Sequence, residues 1–213
     1  MTIHTFTYNP FQTNGYICHD QGEAVVVDPS CHTPAECEAV QRYLKEHDLT
    51  VRHLLLTHGH IDHIFGCQFF VDRYEQSFQM HRADLPFLQH APDQATMFGL
   101  RMDPVPVPTR FLHEGDILSF GNTTWTVREA PGHSPGSVLF HDEARGYVIA
   151  GDVLFQGSIG RTDLPMGDLP TLMRSIHDQL LTLDDDVAVY PGHGPHTTIG
   201  RERRYNPFLN DER

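Results

Sequence analysis

Short apolar runs broken by turn residues predict a β-rich start to the chain. Thr5 to Tyr8, Tyr16 to His19 and Ala24 to Val27 are rich in β-branched and aromatic residues, and Asn, Pro and Gly residues separate them. Three such runs with connections this short are typical of an antiparallel meander. The chain is therefore expected to open with a small sheet.

A helical pattern follows this meander. Thr33 is a candidate N-cap, Pro34 stands at the first helical position, and Glu36 can complete a capping box. Apolar residues then recur at helical spacing, which indicates that one face of the helix is buried. The sequence predicts a helix from about Pro34 to His47.

Four later apolar runs share one feature, which is that each ends in a turn carrying histidine or aspartate. They are Leu54 to Leu56 before His58, Trp125 to Ala130 before His133, Val148 to Ala150 before Asp152, and Val187 to Tyr190 before His193. Because a sheet fixes the backbone while the loop beyond it aims the side chain, strand ends are good places for a site. We expect these polar residues to converge.

The remaining pattern sets the fold class. Helices are predicted from Asp62 to about Arg73 and from Asp168 to Leu180, and the proline-rich segment Asp103 to Thr109 is expected to be a loop. Strands and helices are mixed throughout the chain, so the class is α/β or α+β with sheets covered by helices. No linker or repeat divides the chain, which predicts a single domain over residues 1–213.

Charge and composition narrow the function. Fifteen Lys and Arg against twenty-eight Asp and Glu give a formal charge of −13, which disfavours nucleic acid and anionic membrane surfaces as partners. An anionic substrate would need a local positive centre. Without a signal peptide or a long apolar run, we expect a cytoplasmic protein. The four cysteines lack CxxC spacing, so reduced thiols are expected.

The segment around His58 carries the strongest chemical pattern. His58 and His60 alternate in extended backbone and therefore project to one face, while Asp62 and His63 lie where the chain turns into a helix and face elsewhere. Gly59 lets the backbone pass close by. Imidazole and carboxylate suit zinc and other first-row divalent ions, which predicts two metals side by side rather than a histidine-rich surface loop.

Three further residues are candidate metal ligands, and the evidence for each is weak alone but strong when the three are taken together. His133, Asp152 and His193 each follow an apolar run and stand beside a glycine. Any one of them could instead be a turn or capping residue. A structural zinc site closes its shell with four ligands, whereas seven ligands for two ions leave room for water and substrate. A catalytic site is favoured over a non-catalytic metal-binding module.

These motifs, in this order, resemble those of the metallo-β-lactamase superfamily over nearly the whole chain. The resemblance implies a four-layer αββα sandwich with the metals along the edge between two sheets. It also implies one metal on His58, His60 and His133, a second on Asp62, His63 and His193, and Asp152 as the bridge.

Within that superfamily, the chain looks like short glyoxalase II-like hydrolases, which cleave hydroxyacyl-glutathione thioesters. The stretch Gly160 to Asp163, however, also resembles the persulfide dioxygenases, which use one iron, and that alternative stays open. Full-length glyoxalase II enzymes continue beyond the position of His193 with a basic segment that holds glutathione, whereas this chain stops at Arg213. Arg161 matches one basic substrate contact of that family.

The expected chemistry is hydrolysis of small acyl-thioesters. Two metals about 3.5–4 Å apart hold a water between them and present it as hydroxide to a carbonyl. Asp62 is the candidate catalytic residue that orients this hydroxide. A thiol, with a pKa of about 8.5, departs without a dedicated acid. Zinc is the expected ion, with iron and manganese as alternatives. The oligomeric state is left open.

Overall fold

Two six-stranded β-sheets dominate the computed structural model, which describes residues 1–210. The first sheet has the strand order β1-β2-β3-β4-β5-β6. Its strands are β1 (Thr2–Tyr8), β2 (Thr13–Asp20), β3 (Glu23–Val27), β4 (Thr50–Leu55), β5 (Phe78–Met80) and β6 (Arg110–Phe111). The meander β1-β2-β3 is antiparallel as predicted, and β4, β5 and β6 then add in parallel.

The second sheet has the order β14-β13-β10-β9-β8-β7. Its strands are β7 (Ile117–Phe120), β8 (Thr123–Glu129), β9 (Val138–Asp142), β10 (Tyr147–Gly151), β13 (Ala188–Pro191) and β14 (Thr197–Thr198). Strands β11 (Leu154–Phe155) and β12 (Ser158–Ile159) form a separate hairpin. Within the second sheet only β10 and β13 are parallel, so the loops that follow these two neighbours leave at the same edge.

Helices cover the outer faces of both sheets. They are α1 (Pro34–Glu46), α2 (Ile61–Ile64), α3 (Cys67–Tyr74), α4 (Leu85–Met97), α5 (Leu169–Ser175), α6 (Ile199–Tyr205) and α7 (Pro207–Asn210). A 3-10 turn (Arg82–Asp84) precedes α4, and a π-helical turn (Ile176–Leu180) continues α5. Among the described residues, no helix has the length and hydropathy needed to cross a bilayer.

The hydrophobic core has three layers, which confirm the expected αββα sandwich. Between the sheets, Tyr16, Val25, Trp125, Phe140 and Ile149 are buried in one cluster. A second cluster joins the first sheet to α1, α3 and α4, and a third joins the second sheet to α5, the π-helical turn and α6. The assignment of residues 1–213 to one domain stays a prediction.

The predicted helix from Pro34 to His47 is confirmed, whereas the predicted helix from Asp62 to Arg73 is interrupted. The capping box of Thr33 and Glu36 begins α1, which ends at Glu46. Instead of one helix from Asp62 to Arg73, the chain forms α2 and α3 with a break before Cys67. At Gly66 a side chain would come within 2.6 Å of Cys31 Sγ, and the Gly66 N–H leaves the helical pattern to donate to the Pro29 carbonyl.

The third predicted helix is confirmed at its start and changes character before its end. Asp168 accepts a hydrogen bond from the Thr171 N–H and so caps α5, but regular α-helix ends at Ser175. A π-helical turn completes the span to Leu180. The segment Asp103 to Thr109 is irregular, as predicted.

Candidate metal centre

Loops from both sheets meet at one edge of the sandwich and bring the seven predicted ligands together. His58 to His63 follow β4 of the first sheet, whereas His133, Asp152 and His193 follow β8, β10 and β13 of the second. Their ligand atoms form three groups, each within 4.8 Å, that could hold a metal ion. The groups are His58, His60 and His133; His58, His63 and Asp152; and Asp62, His63 and His193.

The first group is made only of histidines. The Nε2 atoms of His58 and His133 lie 3.3 Å apart, and Nδ1 of His60 lies 2.8 Å from Nε2 of His133. The His133 Nδ1 donates to the Arg161 carbonyl at 2.7 Å. Thr57 Oγ1 donates its proton to a carboxylate and therefore accepts from Nδ1 of His58 at 3.0 Å. Both Nε2 atoms are thus left as acceptors.

The group of Asp62, His63 and His193 lies beside the first, with Asp152 between the two. Nε2 of His193 is 3.2 Å from Oδ2 of Asp62 and 3.4 Å from Oδ2 of Asp152. Nε2 of His63 is 3.4 Å from both carboxylates. Asp152 also approaches His133, whose Nε2 is 3.6 Å from Oδ2. Asp152 thus lies within 3.6 Å of histidines from both groups, and its role as a bridge between two metals stays a prediction.

The donor atoms of this cluster fit divalent cations. Nε2 of His63 and Oδ1 of Asp152 are buried without a hydrogen-bond partner, which costs free energy unless a ligand satisfies them. The lone pairs of His58 Nε2 and His133 Nε2 face each other, and a cation between them removes that repulsion. Nitrogen and carboxylate donors without thiolates suit first-row metals.

Burial and charge set opposite protonation states in the two groups. Burial holds the pKa of His58 well below its usual value and lowers the pKa of His60 to about 3. For His193, burial acts in the same direction, but hydrogen bonds to Asp152 and Asp62 outweigh it and raise the pKa to about 10. For His63, burial is likewise outweighed by Asp62 and other carboxylates, so its pKa is raised well above normal.

A buried carboxylate that the sequence analysis missed orients the ligands. Asp28 follows β3 and is fully buried. Its Oδ1 accepts from the Thr57 N–H at 2.7 Å, and its Oδ2 accepts from Thr57 Oγ1 at 2.7 Å and from His63 Nδ1 at 2.9 Å. Asp28 therefore directs His63 Nε2 into the cluster and, through Thr57, fixes His58. Its place after an apolar run was the signal that could have identified it.

A second missed residue, Asp84, joins the two loops that carry the histidines. It is fully buried and accepts from the Gly59 N–H at 2.8 Å, from Ser134 Oγ at 2.7 Å and from the Gly136 N–H at 2.6 Å. These bonds connect the His58–His60 loop to the His133 loop. No sequence pattern around Asp84 indicates this role, since its partners are 25 to 52 residues away.

Close backbone approach explains one of the glycines beside the ligands. A side chain at Gly192 would collide with the Asp152 carboxylate and would lie 2.8 Å from the His63 ring. The backbone of the His193 loop therefore passes directly over the cluster. The start of β2 holds it there, because the Asn14 N–H donates to the Gly192 carbonyl at 2.7 Å.

The cluster forms the floor of an open cleft of about 400 Å³. Phe11, Phe98 and Phe155 line its walls, and Arg161 is the one Lys or Arg among the described residues that line it. Arg161 is exposed and forms a two-bond ion pair with Asp163, at 2.7 Å and 2.8 Å. The position of Arg161 is thus compatible with the predicted substrate contact as well as with this ion pair.

Comparisons with known proteins agree with this architecture. Residues 8–193 match the metallo-beta-lactamase superfamily, and the chain belongs to that family. The chain is 38% identical to "Hydroxyacylglutathione hydrolase GloC" of Haemophilus influenzae over the full length of both proteins.

Two solved structures are also similar. A structure of the "BLEG-1 B3 metallo-beta-lactamase" has a TM-score of 0.89 and 36% identity, covering 98% of this chain and 100% of that one. A structure of TTHA1623 "in a di-iron-bound form" has a TM-score of 0.88 and 38% identity, covering 97% and 100%. The protein is therefore similar to metal-dependent hydrolases. The names of these relatives do not agree on one substrate.

Replacing Asp28 tests its orienting role. In Asp28→Asn one of the two accepting oxygens becomes an NH2 group, so the bonds from Thr57 and His63 can no longer all be kept, and we expect metal affinity to fall about 10- to 100-fold. Zinc titration against a chromophoric chelator measures this. Asp20→Asn is the matched control, because Asp20 is also a buried, hydrogen-bonded carboxylate but lies at the far end of β2. Equal affinities for the two variants would refute the role.

The protonation states predict that the two metal groups respond differently to pH. A metal at Asp62, His63 and His193 must displace protons from the two histidines, whose pKa values are raised, so its affinity rises up to about tenfold per pH unit and per proton below pH 10. Because the pKa values of His58 and His60 are lowered, these two residues have no proton to release, which predicts a shallower pH response for their group. Two-site zinc titrations at pH 6.5, 7.5 and 8.5 distinguish these slopes, and parallel slopes would contradict the prediction.

Proposed function

We propose that this protein is a binuclear metal-dependent hydrolase that cleaves small acyl-thioesters, of which hydroxyacyl-glutathione is the model substrate. The main support for this proposal is that the three groups of possible ligands share residues and lie together at the floor of an open cleft. Seven side chains with shared members suit two ions and leave coordination positions free for water and substrate. Zinc is the ion we propose, with manganese or iron as alternatives.

The comparison with the Haemophilus protein supports the substrate class. That relative is called a hydroxyacylglutathione hydrolase and covers the chain from end to end. The wall of the cleft adds a chemical reason, because Arg161 is a cation beside the site in a chain of net charge −13. A guanidinium there suits the carboxylate of an anionic thiol carrier.

The chain's own residues define the hydrolytic step. Metals bound at the cluster would supply Lewis-acid chemistry, which lowers the pKa of water and polarises a carbonyl. Asp62, whose Oδ2 accepts from Thr13 Oγ1 at 2.7 Å, is held in place to orient the attacking water. Addition of water to the thioester carbonyl breaks the C–S bond and yields a carboxylic acid and a thiol. A thiol of pKa about 8.5 leaves as thiolate, so no general acid is required.

A persulfide dioxygenase is the second candidate. The similar structure of TTHA1623 in a di-iron-bound form shows that a related site holds iron, and the Gly160 to Asp163 stretch resembles that branch. The complete second group of Asp62, His63 and His193, which a one-iron oxygenase does not need, motivates the hydrolase, but the dioxygenase branch keeps the same residues and the metal-dependent chemistry must separate the two. Partners other than a small molecule are not proposed, and the cytoplasm is the proposed location.

Separately reconstituted zinc, manganese and iron forms test the two candidates. We expect the zinc or manganese form to release thiol from lactoyl-glutathione, because hydrolysis needs no redox change. Glutathione persulfide should cause no oxygen consumption with any form. Oxygen uptake confined to the iron form, without thioester cleavage by any form, would replace the hydrolase with the oxygenase.

Arg161→Ala tests the proposed substrate contact. Loss of a charge-assisted contact should raise KM for lactoyl-glutathione about tenfold, whereas the melting temperature should barely change because the ion pair with Asp163 is exposed. Asp163→Ala is the control, since it breaks the same ion pair but keeps the guanidinium. A lowered melting temperature in both variants with unchanged KM would assign Arg161 a structural role.

A further inference from the structure

A second cleft, which we call the apolar lobe, opens beside the candidate metal centre. Its volume is about 310 Å³. Its apolar walls are Pro86, Phe87 and Met97 from α4, and Leu164, Pro165 and Met166 from the loop before α5. A cleft of this size lined by apolar side chains is typical of a small-molecule site.

The apolar lobe is continuous with the metal cleft. His60, Gln94 and Leu164 line both cavities. Phe87, on the wall of the lobe, packs edge-on against His60 with ring centroids 4.8 Å apart. A substrate whose reacting carbon lies over the ligand cluster can therefore extend one substituent into the apolar lobe.

Exposed apolar side chains concentrate around this opening. Met97 is 85% exposed and Met166 is 54% exposed, and both line the apolar lobe. Phe98, the next residue after Met97, is 55% exposed and lines the metal cleft. Single exposed apolar residues are ordinary, but several around one cavity are typical of an interaction surface, of which a ligand-binding groove is one kind.

The backbone at Met166 adds an independent observation. Its φ of +70° lies in the left-handed region, which methionine seldom adopts. The turn is closed by the Gly167 N–H, which donates to the Leu164 carbonyl at 3.0 Å. Conformations of this kind cost free energy and cluster at ligand sites. Here the strained turn places the Leu164, Pro165 and Met166 side chains on the wall of the apolar lobe.

The charges on the two cavities indicate which part of a thioester enters which cavity. Arg161 lines the metal cleft, whereas no Lys or Arg is among the described residues that line the apolar lobe. Asp93, the one carboxylate among them, would repel an anion. An anionic thiol carrier therefore belongs near Arg161, and the uncharged acyl side of the substrate belongs in the apolar lobe.

We propose that the apolar lobe binds the acyl group, so that the preferred substrates are thioesters whose acyl group carries an aromatic or branched apolar substituent. The inference rests on the proposed thioester hydrolysis and refines its substrate class. Lactoyl-glutathione, whose acyl group ends in a methyl, leaves the lobe unfilled.

A matched pair of substrates tests the proposal. Mandeloyl-glutathione differs from lactoyl-glutathione only in a phenyl group where the other has a methyl. With the zinc-loaded protein we expect kcat/KM to be about tenfold higher for the mandeloyl ester, because the phenyl ring is transferred from water to an apolar cavity. Equal values, or a preference for the lactoyl ester, would overturn the proposal.

Variants then locate the preference in the apolar lobe. Met97→Gln combined with Met166→Gln keeps the side-chain length and makes the lobe polar, and we expect the mandeloyl-to-lactoyl ratio of kcat/KM to fall about fivefold or more. Ile117→Gln is the control, because Ile117 is also a 55% exposed apolar residue but lies on β7 of the second sheet. A ratio that is unchanged in the double variant, or equally reduced in the control, would refute the assignment.

Binding of the product acids separates this proposal from the hydrolase proposal. Calorimetric titration of the zinc-loaded protein should give a lower Kd for mandelate than for lactate, and the double variant should remove that difference. If neither thioester is cleaved but mandelate still binds more tightly, the proposed hydrolysis is refuted and the assignment of the apolar lobe as the acyl site is supported. If both thioesters are cleaved and the two acids bind equally, the proposed hydrolysis is supported and the assignment of the apolar lobe as the acyl site is refuted.

Discussion

The candidate metal centre depends on two buried carboxylates that accept hydrogen bonds from the ligand loops. Asp28 fixes His63 directly and His58 through Thr57, and Asp84 joins the loops of His58 and His133. Buried anions are costly, and here each is surrounded by donors from backbone and side chains. Without these bonds the loops could move and the histidine side chains could turn away from the cluster. Their ring nitrogens would then not be held in position to bind a metal.

The sandwich topology explains why the ligands come from such distant parts of the sequence. The edge between two packed sheets is where loops from both can meet, and the parallel neighbours β10 and β13 deliver their loops to it side by side. The inter-sheet core, with Trp125 and Phe140 at its centre, fixes the distance between the sheets. Packing far from the cluster therefore sets the separations among the donor atoms.

The sequence predicts what is encoded locally and fails where distant contacts decide. Residue types and spacing singled out seven side chains whose donor atoms the fold brings together, and the capping box predicted the start of α1. The break between α2 and α3 could not be predicted, because Gly66 packs against Cys31. Helix α4 also escaped prediction, since Pro86 and Pro92 obscure its pattern, and Asp84 was missed because its partners come from two remote loops.

The contact between the start of β2 and the His193 loop has a consequence for biosynthesis. Asn14 donates to the carbonyls of Pro191 and Gly194, partners that are 177 and 180 positions further along the chain. The His193 loop can therefore form these contacts only after the chain has been synthesised as far as Gly194. Loops this long close slowly. His58, His60 and His133 all precede this loop, so the group of Asp62, His63 and His193 is the last of the three to be completed along the chain.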